Sequence, residues 1–441
     1  MQQQKPLTLR RNFSWSFIGN VVYAACQWGM LVVLSKIGSP EIVGQFTLGL
    51  AITAPVLIFT NLQLREIQAT DAKQQYVFSD YLGLRLLSTG LALLVIVAIT
   101  LKAGYSVETS LVILLVGLAK AFESISDVFY GLFQQYERMD RIAVSMMIKG
   151  PLSLLLLGIG VYLTGSVVGG TVGLAVAWAL VLFGYDLRSG AWMLNQSLLM
   201  PEGKEPTERK LRVTLQPRWH LRTLGKLVWL SLPLGFVMML GSLNVNIPRY
   251  FIERYLGERE LGIFAAIAYL MVAGNMVVYA LGSSAISRLA KYYSTGNSAA
   301  FRTLLLKLVG IAAVLGGVAI LVALVAGQEL LTLVYKPEYA QHTDLLVWLM
   351  VTAAIGYMSS FLGDGLVAAR YLRIQIPLFV LVTATSAIGS FWLIPIDGLR
   401  GAAIALLFAA IIQVVLRVGV IVYALHKLQR HSTRNSEPSV N

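Results

Sequence analysis

Lys120, Glu123 and Asp127 interrupt an apolar run at positions i, i+3 and i+7, a spacing that puts all three side chains on one helical face. One carboxylate can neutralise the ammonium. The other is then left to bind a proton or cation, or to meet another helix; the alternative is a self-satisfied structural cluster. A second group is Asn244-Val245-Asn246-Ile247-Pro248-Arg249-Tyr250. Pro248 removes a helical hydrogen bond and marks a kink or gate, and Arg249 offers a planar fork of donors suited to phosphate oxygens. An Arg and Tyr pair anchoring a helix end is the plainer reading. Asp364, in Gly363-Asp364-Gly365, is either a titratable coupling site or a partner of Arg370. Asn20, Tyr23, Gln27 and Trp28 fall on or near one face and can bond sugar hydroxyls or stack on sugar rings, though helix packing explains them equally well. Asn61, Gln63 and Arg65, and separately Arg288, suit a phosphate approaching from one side, or simply snorkel at a helix end.

No enzyme constellation accompanies these groups. There is no Gly-x-x-x-x-Gly-Lys-Ser/Thr, no His-Glu-x-x-His and no cysteine pair, and three of the four histidines, His220, His426 and His431, lie in or beside polar segments. The fourth, His342, is predicted in an outer loop. The expectation is a protein that is not an enzyme and uses no cofactor. Any energy input then comes from an ion gradient or from a substrate's own gradient.

The elements that must hold these residues are membrane helices. With 57% hydrophobic and 13% charged residues and a mean hydropathy of +0.71, the chain lies far from soluble usage. Apolar runs long enough to cross about 30 Å of hydrocarbon lie near 12–34, 42–63, 80–101, 109–133, 142–163, 168–187, 225–248, 260–283, 304–326, 345–366, 374–395 and 399–425. The predicted class is all-α, a polytopic membrane protein of about twelve spans. Ionisable groups at bilayer depth are costly and mark functional sites by default. The segment after Lys5, Arg10 and Arg11 is too long for a signal core and reads as a first span, and the single cysteine, Cys26, permits no internal disulfide.

The net charge of +13 is explained by orientation. With a cytoplasmic amino terminus and alternating sides, 27 of the 35 Lys and Arg residues fall on cytoplasmic segments, which follows the positive-inside rule. Nucleic acid is therefore not an expected partner, and both termini are expected in the cytoplasm. The predicted organisation is a six-helix lobe over 1–188, a basic cytoplasmic linker over 189–224, a second six-helix lobe over 225–426 and a polar tail over 427–441. Arg209, Lys210, Arg212, Arg218 and Arg222 in the linker meet anionic headgroups or a partner, or serve only to orient the chain.

The two lobes look like copies. Gly38-Ser39-Pro40-Glu41-Ile42-Val43-Gly44-Gln45-Phe46 returns as Gly257-Glu258-Arg259-Glu260-Leu261-Gly262-Ile263-Phe264, one residue shorter. Gly170 to Ala177 is answered by Gly398 to Ala405, and Gly131 by Gly365. An even number of spans per copy predicts a parallel repeat, with the cleft between copies as the default substrate path.

The chain resembles the polysaccharide-exporter branch of the multidrug, oligosaccharidyl-lipid and polysaccharide (MOP) flippase superfamily, the O-antigen or exopolysaccharide repeat-unit flippases. The residues that carry this are Leu232-Pro233-Leu234-Gly235 through Asn246-Ile247-Pro248-Arg249-Tyr250 to Leu261-Gly262-Ile263-Phe264, together with Tyr130-Gly131-Leu132-Phe133-Gln134-Gln135, Glu137-Arg138-Met139-Asp140 and Tyr335-Lys336-Pro337-Glu338-Tyr339. The resemblance implies two six-helix lobes in a V, a largely cationic cavity and alternating access in a bacterial inner membrane. It implies as substrate a lipid-linked oligosaccharide, carried on polyprenol pyrophosphate to the periplasmic leaflet for lipopolysaccharide or exopolysaccharide biosynthesis. Partners would be membrane lipids, a polysaccharide polymerase and a chain-length regulator. Under it, Arg249, Lys120 and Arg65, with Asn244, Asn246, Asn20, Gln27 and Trp28, are candidates for the substrate, Asp127, Glu123 and Asp364 for cation coupling, and Pro248 for a gate. The competing readings are a multidrug/cation antiporter of the related extrusion branch and a non-transporting scaffold of a polysaccharide assembly complex.

Overall fold

The computed structural model describes residues 8–71, 75–198, 215–371 and 373–434, and the regular elements among them are all helical. The first unit holds α1 (Leu9–Ile37), α2 (Pro40–Asn61), the short α3 (Leu64–Thr70), α4 (Phe78–Ala103), α5 (Val107–Gln135), α6 (Met139–Thr164) and α7 (Val167–Val181). A π-helical turn, Leu182–Asp186, leads from α7 into α8 (Leu187–Leu198). Then come α9 (Leu221–Leu256), α10 (Glu258–Tyr269), α11 (Met271–Ser294), α12 (Ser298–Val334), α13 (Pro337–Ala340), α14 (Thr343–Ala368) and α15 (Gln375–Arg434). Ten stretches among the described residues are long and apolar enough to cross a membrane. The last of these, within α15, is broken at Gly398 (φ 58°), which separates the final two expected spans. Adding the charged helix α5 completes the expected twelve.

The chain divides into two compact units between Ser242 and Leu243, within α9. In the first, Tyr81, Phe129, Phe133, Leu182 and Leu227 belong to one apolar core; in the second, Phe301, Tyr357, Phe361 and Leu366 do the same. The expected linker over 189–224 falls partly on 199–214, including Arg209, Lys210 and Arg212, and that part lies outside the described residues, as do 435–441 of the tail. The linker's described end is fastened. Arg218 N donates to Ser79 O at 3.0 Å, and its carbonyl lies where a side chain at Gly83 would stand, 2.3 Å from an added Cβ.

The repeated loop sequence starts a helix in each unit. Pro40 occupies the first turn of α2 and Glu41 follows it, while Glu258 and Glu260 open α10; proline and acidic residues both suit a helix N-terminus. Gly257 needs its glycine, at φ 91°. The two phenylalanines, Phe46 and Phe264, are both buried.

Backbone geometry revises the register of the rest of the repeat. Left-handed residues end α5 at Glu137 and α14 at Arg370, and left-handed glycines follow α6 at Gly165 and interrupt α15 at Gly398. Both pairs are 233 residues apart, so the counterpart of Gly398 is Gly165, the turn glycine, and not the helical Gly170. The opening loops are 219 apart, Gly38 to Gly257. Most of the difference is helix length, since α12 has 37 residues where α4 has 26.

After each turn the chain folds back on the preceding helix at small residues, as membrane helices do to bring backbones together. A Cβ added at Gly173 would lie 2.3 Å from Leu156 O, and one at Gly401 would lie 2.1 Å from Leu393 O. Carbonyl oxygens cannot swing aside as a side-chain tip can. Gly173→Val and Gly401→Val should each destabilise the purified protein by about 1–3 kcal/mol or more, read as a lower thermal midpoint in detergent. Gly310→Val, where nothing stands within 4 Å, should leave the midpoint nearly unchanged.

Candidate functional site

A cavity of about 430 Å³ lies inside the first unit, walled by α1, α2, α3, α5 and α6 with Met238 of α9. Its character is set by α5. Lys120, Glu123, Asp127, Tyr130 and Gln134 recur at alternating intervals of three and four residues and all line the cavity, so α5 turns a continuous polar stripe towards it. Sequence reasoning found the first three members of that stripe.

Of the two roles open to the acid that Lys120 does not neutralise, Asp127 takes the second and meets other helices. Its two oxygens meet two guanidiniums: Arg85 of α4 at 3.1 Å and Arg65 of α3 at 3.6 Å. Arg85 is fully buried and also donates to Asn61 Oδ1. Arg65 is partly exposed, donates from Nε to Gln134 Oε1 at 3.2 Å, and lies over the Tyr130 ring, 5.5 Å from its centroid. Arg85 thus anchors the carboxylate from behind, and Arg65 holds it from the cavity side. Glu123 forms the second node. Lys120 Nζ meets it at 2.7 Å, Tyr23 Oη donates to it at 2.6 Å, and Lys120 sits over the Trp178 ring at 4.9 Å. Lys149 of α6 forms the third. It is 1% exposed, donates to Tyr130 Oη at 3.1 Å and lines the cavity wall.

Of the other expected residues, Asn20 lines the cavity and bonds the Ser16 carbonyl, whereas Gln27 and Trp28 do not line it. Arg249, Asn244, Asn246 and Pro248 lie in the second unit, where α9 continues helically through Pro248. Arg249 donates to Asn246 Oδ1 at 3.1 Å, its Nε is buried without a hydrogen-bond partner, and Ser386 donates to the Asn244 carbonyl at 3.3 Å. The cation facing Asp364 is Arg417; Arg370, the expected partner, is exposed in the left-handed turn after α14. Arg417 itself reaches Ser359 Oγ at 3.0 Å.

Three charges that the orientation count placed on cytoplasmic segments are instead buried in helices: Arg85, Lys149 and Arg417. Each stands alone in an apolar stretch near a span end, where a loop charge and a wall charge read alike. The signal available was position, because Arg85 lies two turns inside α4 and Lys149 nearly three turns inside α6.

Residues 9–292 match the family model described as polysaccharide biosynthesis protein. The chain belongs to that family. It is 28% identical over 407 residues to the capsular polysaccharide biosynthesis protein CapF of Staphylococcus aureus, covering 92% of this chain and 97% of CapF. Among solved structures it is similar to an inward-facing multidrug-resistance MATE family transporter of the MOP superfamily, with a TM-score of 0.71 and 14% identity over 94% of this chain and 99% of that one. It is also similar to the lipid II flippase MurJ in an inward closed conformation, with a TM-score of 0.66 and 12% identity over 95% and 90% of the two chains. At those identities the structures bear on the fold, which is the expected two-lobe, twelve-helix arrangement of this multi-pass membrane family.

The pairing of Asp127 gives a direct test. Asp127→Asn strands a fully buried guanidinium and should cost on the order of 3 kcal/mol, measured as a fall in thermal stability. Adding Arg85→Met should return part of that loss. A double variant that is no better than the sum of the two single variants would show that the pair is not coupled.

Proposed function

We propose that the protein is a flippase for polyprenol-pyrophosphate-linked oligosaccharide repeat units. It moves them from the cytoplasmic to the outer leaflet of a bacterial plasma membrane by alternating access, with both termini in the cytoplasm. The observation that carries the reading is a cavity lined by cations and carboxylates within a chain of the polysaccharide biosynthesis family. An oligosaccharide headgroup with its pyrophosphate needs such a wall to leave water, whereas the polyprenol tail can stay in lipid.

The ion pairs supply the chemistry. Arg65 and Lys120 are only partly exposed and already hold carboxylates. A pyrophosphate oxygen therefore binds by competing with Asp127 for Arg65 or with Glu123 for Lys120, and bidentate recognition by Arg65 favours that exchange. Glu123, when displaced from Lys120, then takes up a proton or a small cation, which ties substrate binding to an ion gradient. Asp127 keeps Arg85 as it lets Arg65 go, so the exchange leaves no bare charge in the wall.

A second reading has its own support. Glu66, Glu123 and Asp127 make the cavity acidic as well as basic, which suits a drug/cation antiporter. Substitution separates the two. Lys120→Gln and Arg65→Gln should each lower surface polysaccharide about tenfold or more, the effect of losing one charge-assisted contact of about 1.5 kcal/mol, with dye and drug resistance unchanged. In a deletion strain, a leaflet-resolved assay should find lipid-linked repeat units accumulating on the cytoplasmic side. Normal delivery to the outer leaflet in that strain would defeat the flippase reading.

A further inference from the structure

Behind the cavity wall lies a carboxylate that the ion pairs do not use. Asp186 ends the π-helical turn Leu182–Asp186, is 0% exposed, and has both oxygens buried without a hydrogen-bond partner. A π turn inserted in a helix is an unfavourable local geometry that recurs at functional sites. A buried carboxylate short of hydrogen bonds is more costly still. The groups that face it are Lys149 and the Ser145 hydroxyl from α6, Tyr130 and the Ser126 hydroxyl from α5, and Tyr185 on its own turn. The Ser126 hydroxyl is likewise buried, and it and Ser145 are the hydroxyls placed to bond the carboxylate.

These groups form a line to the cavity. Lys149 donates to Tyr130 Oη, Tyr130 Oη lies 2.7 Å from Ser145 Oγ with either hydroxyl able to donate, and the Ser145 hydroxyl also faces Asp186. Tyr130 and Lys149 both line the cavity.

We infer that Asp186 is a proton-binding site, loaded from the cavity through Tyr130 and Ser145, whose occupancy sets the anion affinity of the cavity through Lys149. With Asp186 ionised, the Lys149 ammonium and the carboxylate cancel. A proton from cavity water passes along the hydroxyls, each giving one and taking one, and ends on an Asp186 oxygen. The carboxyl is then neutral, Lys149 is still an ammonium, and the pair has gone from zero to +1. That uncancelled charge adjoins Glu123, which already acts on Lys149, and so it loosens Glu123 from Lys120 and strengthens the hold on an incoming anion. Proton and anion each tighten the binding of the other, as linkage requires. The inference rests on reading the cavity as an anion site.

The test uses the full-length purified protein, with inorganic pyrophosphate as probe and sulfate as an anion whose charge does not change over the range. Both should bind more tightly as pH falls, by up to tenfold per pH unit for one linked proton. Asp186→Asn should bind sulfate with the slope reduced by the contribution of one proton, leaving what the displaced cavity carboxylate takes up, and Asp186→Glu, which keeps the carboxyl, should restore the full slope. An unchanged slope in folded Asp186→Asn overturns the inference. The infrared C=O stretch of a protonated carboxyl gives a readout without any anion: it should appear as pH falls, shift in Asp186→Glu and vanish in Asp186→Asn. Failure of the wild type to bind either anion, with the infrared band still titrating at Asp186, would remove the anion reading and the link to Lys149 while leaving the proton site. Absence of that band in the wild type would overturn the site itself.

Discussion

The buried guanidinium of Arg85 constrains the first unit more than any other single group. A charge inside a low-dielectric wall must be matched within hydrogen-bond reach or neutralised, and Arg85 is matched by Asp127 and Asn61. That requirement fixes the rotation of α5 against α4. Once Asp127 points inward, helical periodicity carries Lys120, Glu123, Tyr130 and Gln134 to the same side. The apolar residues of α5, among them Val112, Val116, Val128, Phe129 and Phe133, are buried elsewhere around the helix. The cavity is therefore a by-product of one satisfied ion pair and of the helix geometry that follows from it.

The fold was largely legible in the sequence, because its causes are local. Twelve apolar runs, turn glycines and helix-starting prolines state their own length and limits, and each acts within a few residues. The site was legible only in part, for the same reason. The trio on α5 announces itself through spacing along one helix, but the identity of its partners depends on which helices lie beside it. Nothing near Arg85, Lys149 or Asp186 in sequence says that they converge on Tyr130 and Asp127. Judging charges by orientation alone had the opposite bias, since a lone Arg or Lys near the end of a span satisfies the positive-inside pattern whether it faces water or a carboxylate. Asp364 shows this on a small scale: the sequence offered the nearby Arg370, while packing brings the distant Arg417.

The three polar nodes are also linked to one another, so the wall responds as a network. Tyr130 receives Lys149, bonds Ser145 and lies beneath Arg65, while Glu123 is shared between Lys120 and Tyr23. Ser153 bonds the Lys149 carbonyl and accepts from Trp178, whose ring carries Lys120. Charge moved at one node is felt at the next through a single shared side chain.

The 233-residue spacing of the left-handed turns allows the two copies to be aligned position by position. Carried across at that spacing, Lys120 falls on Ala353, Glu123 on Gly356, Asp127 on Ser360, Lys149 on Val382 and Asp186 on Gly419. Each of these five groups meets a neutral residue, mostly a small one, in the second unit. The second unit carries its own ionisable groups, Arg249, Asp364 and Arg417, at other positions. The units therefore share their turns, which folding requires of each, while each places its charges independently of the other.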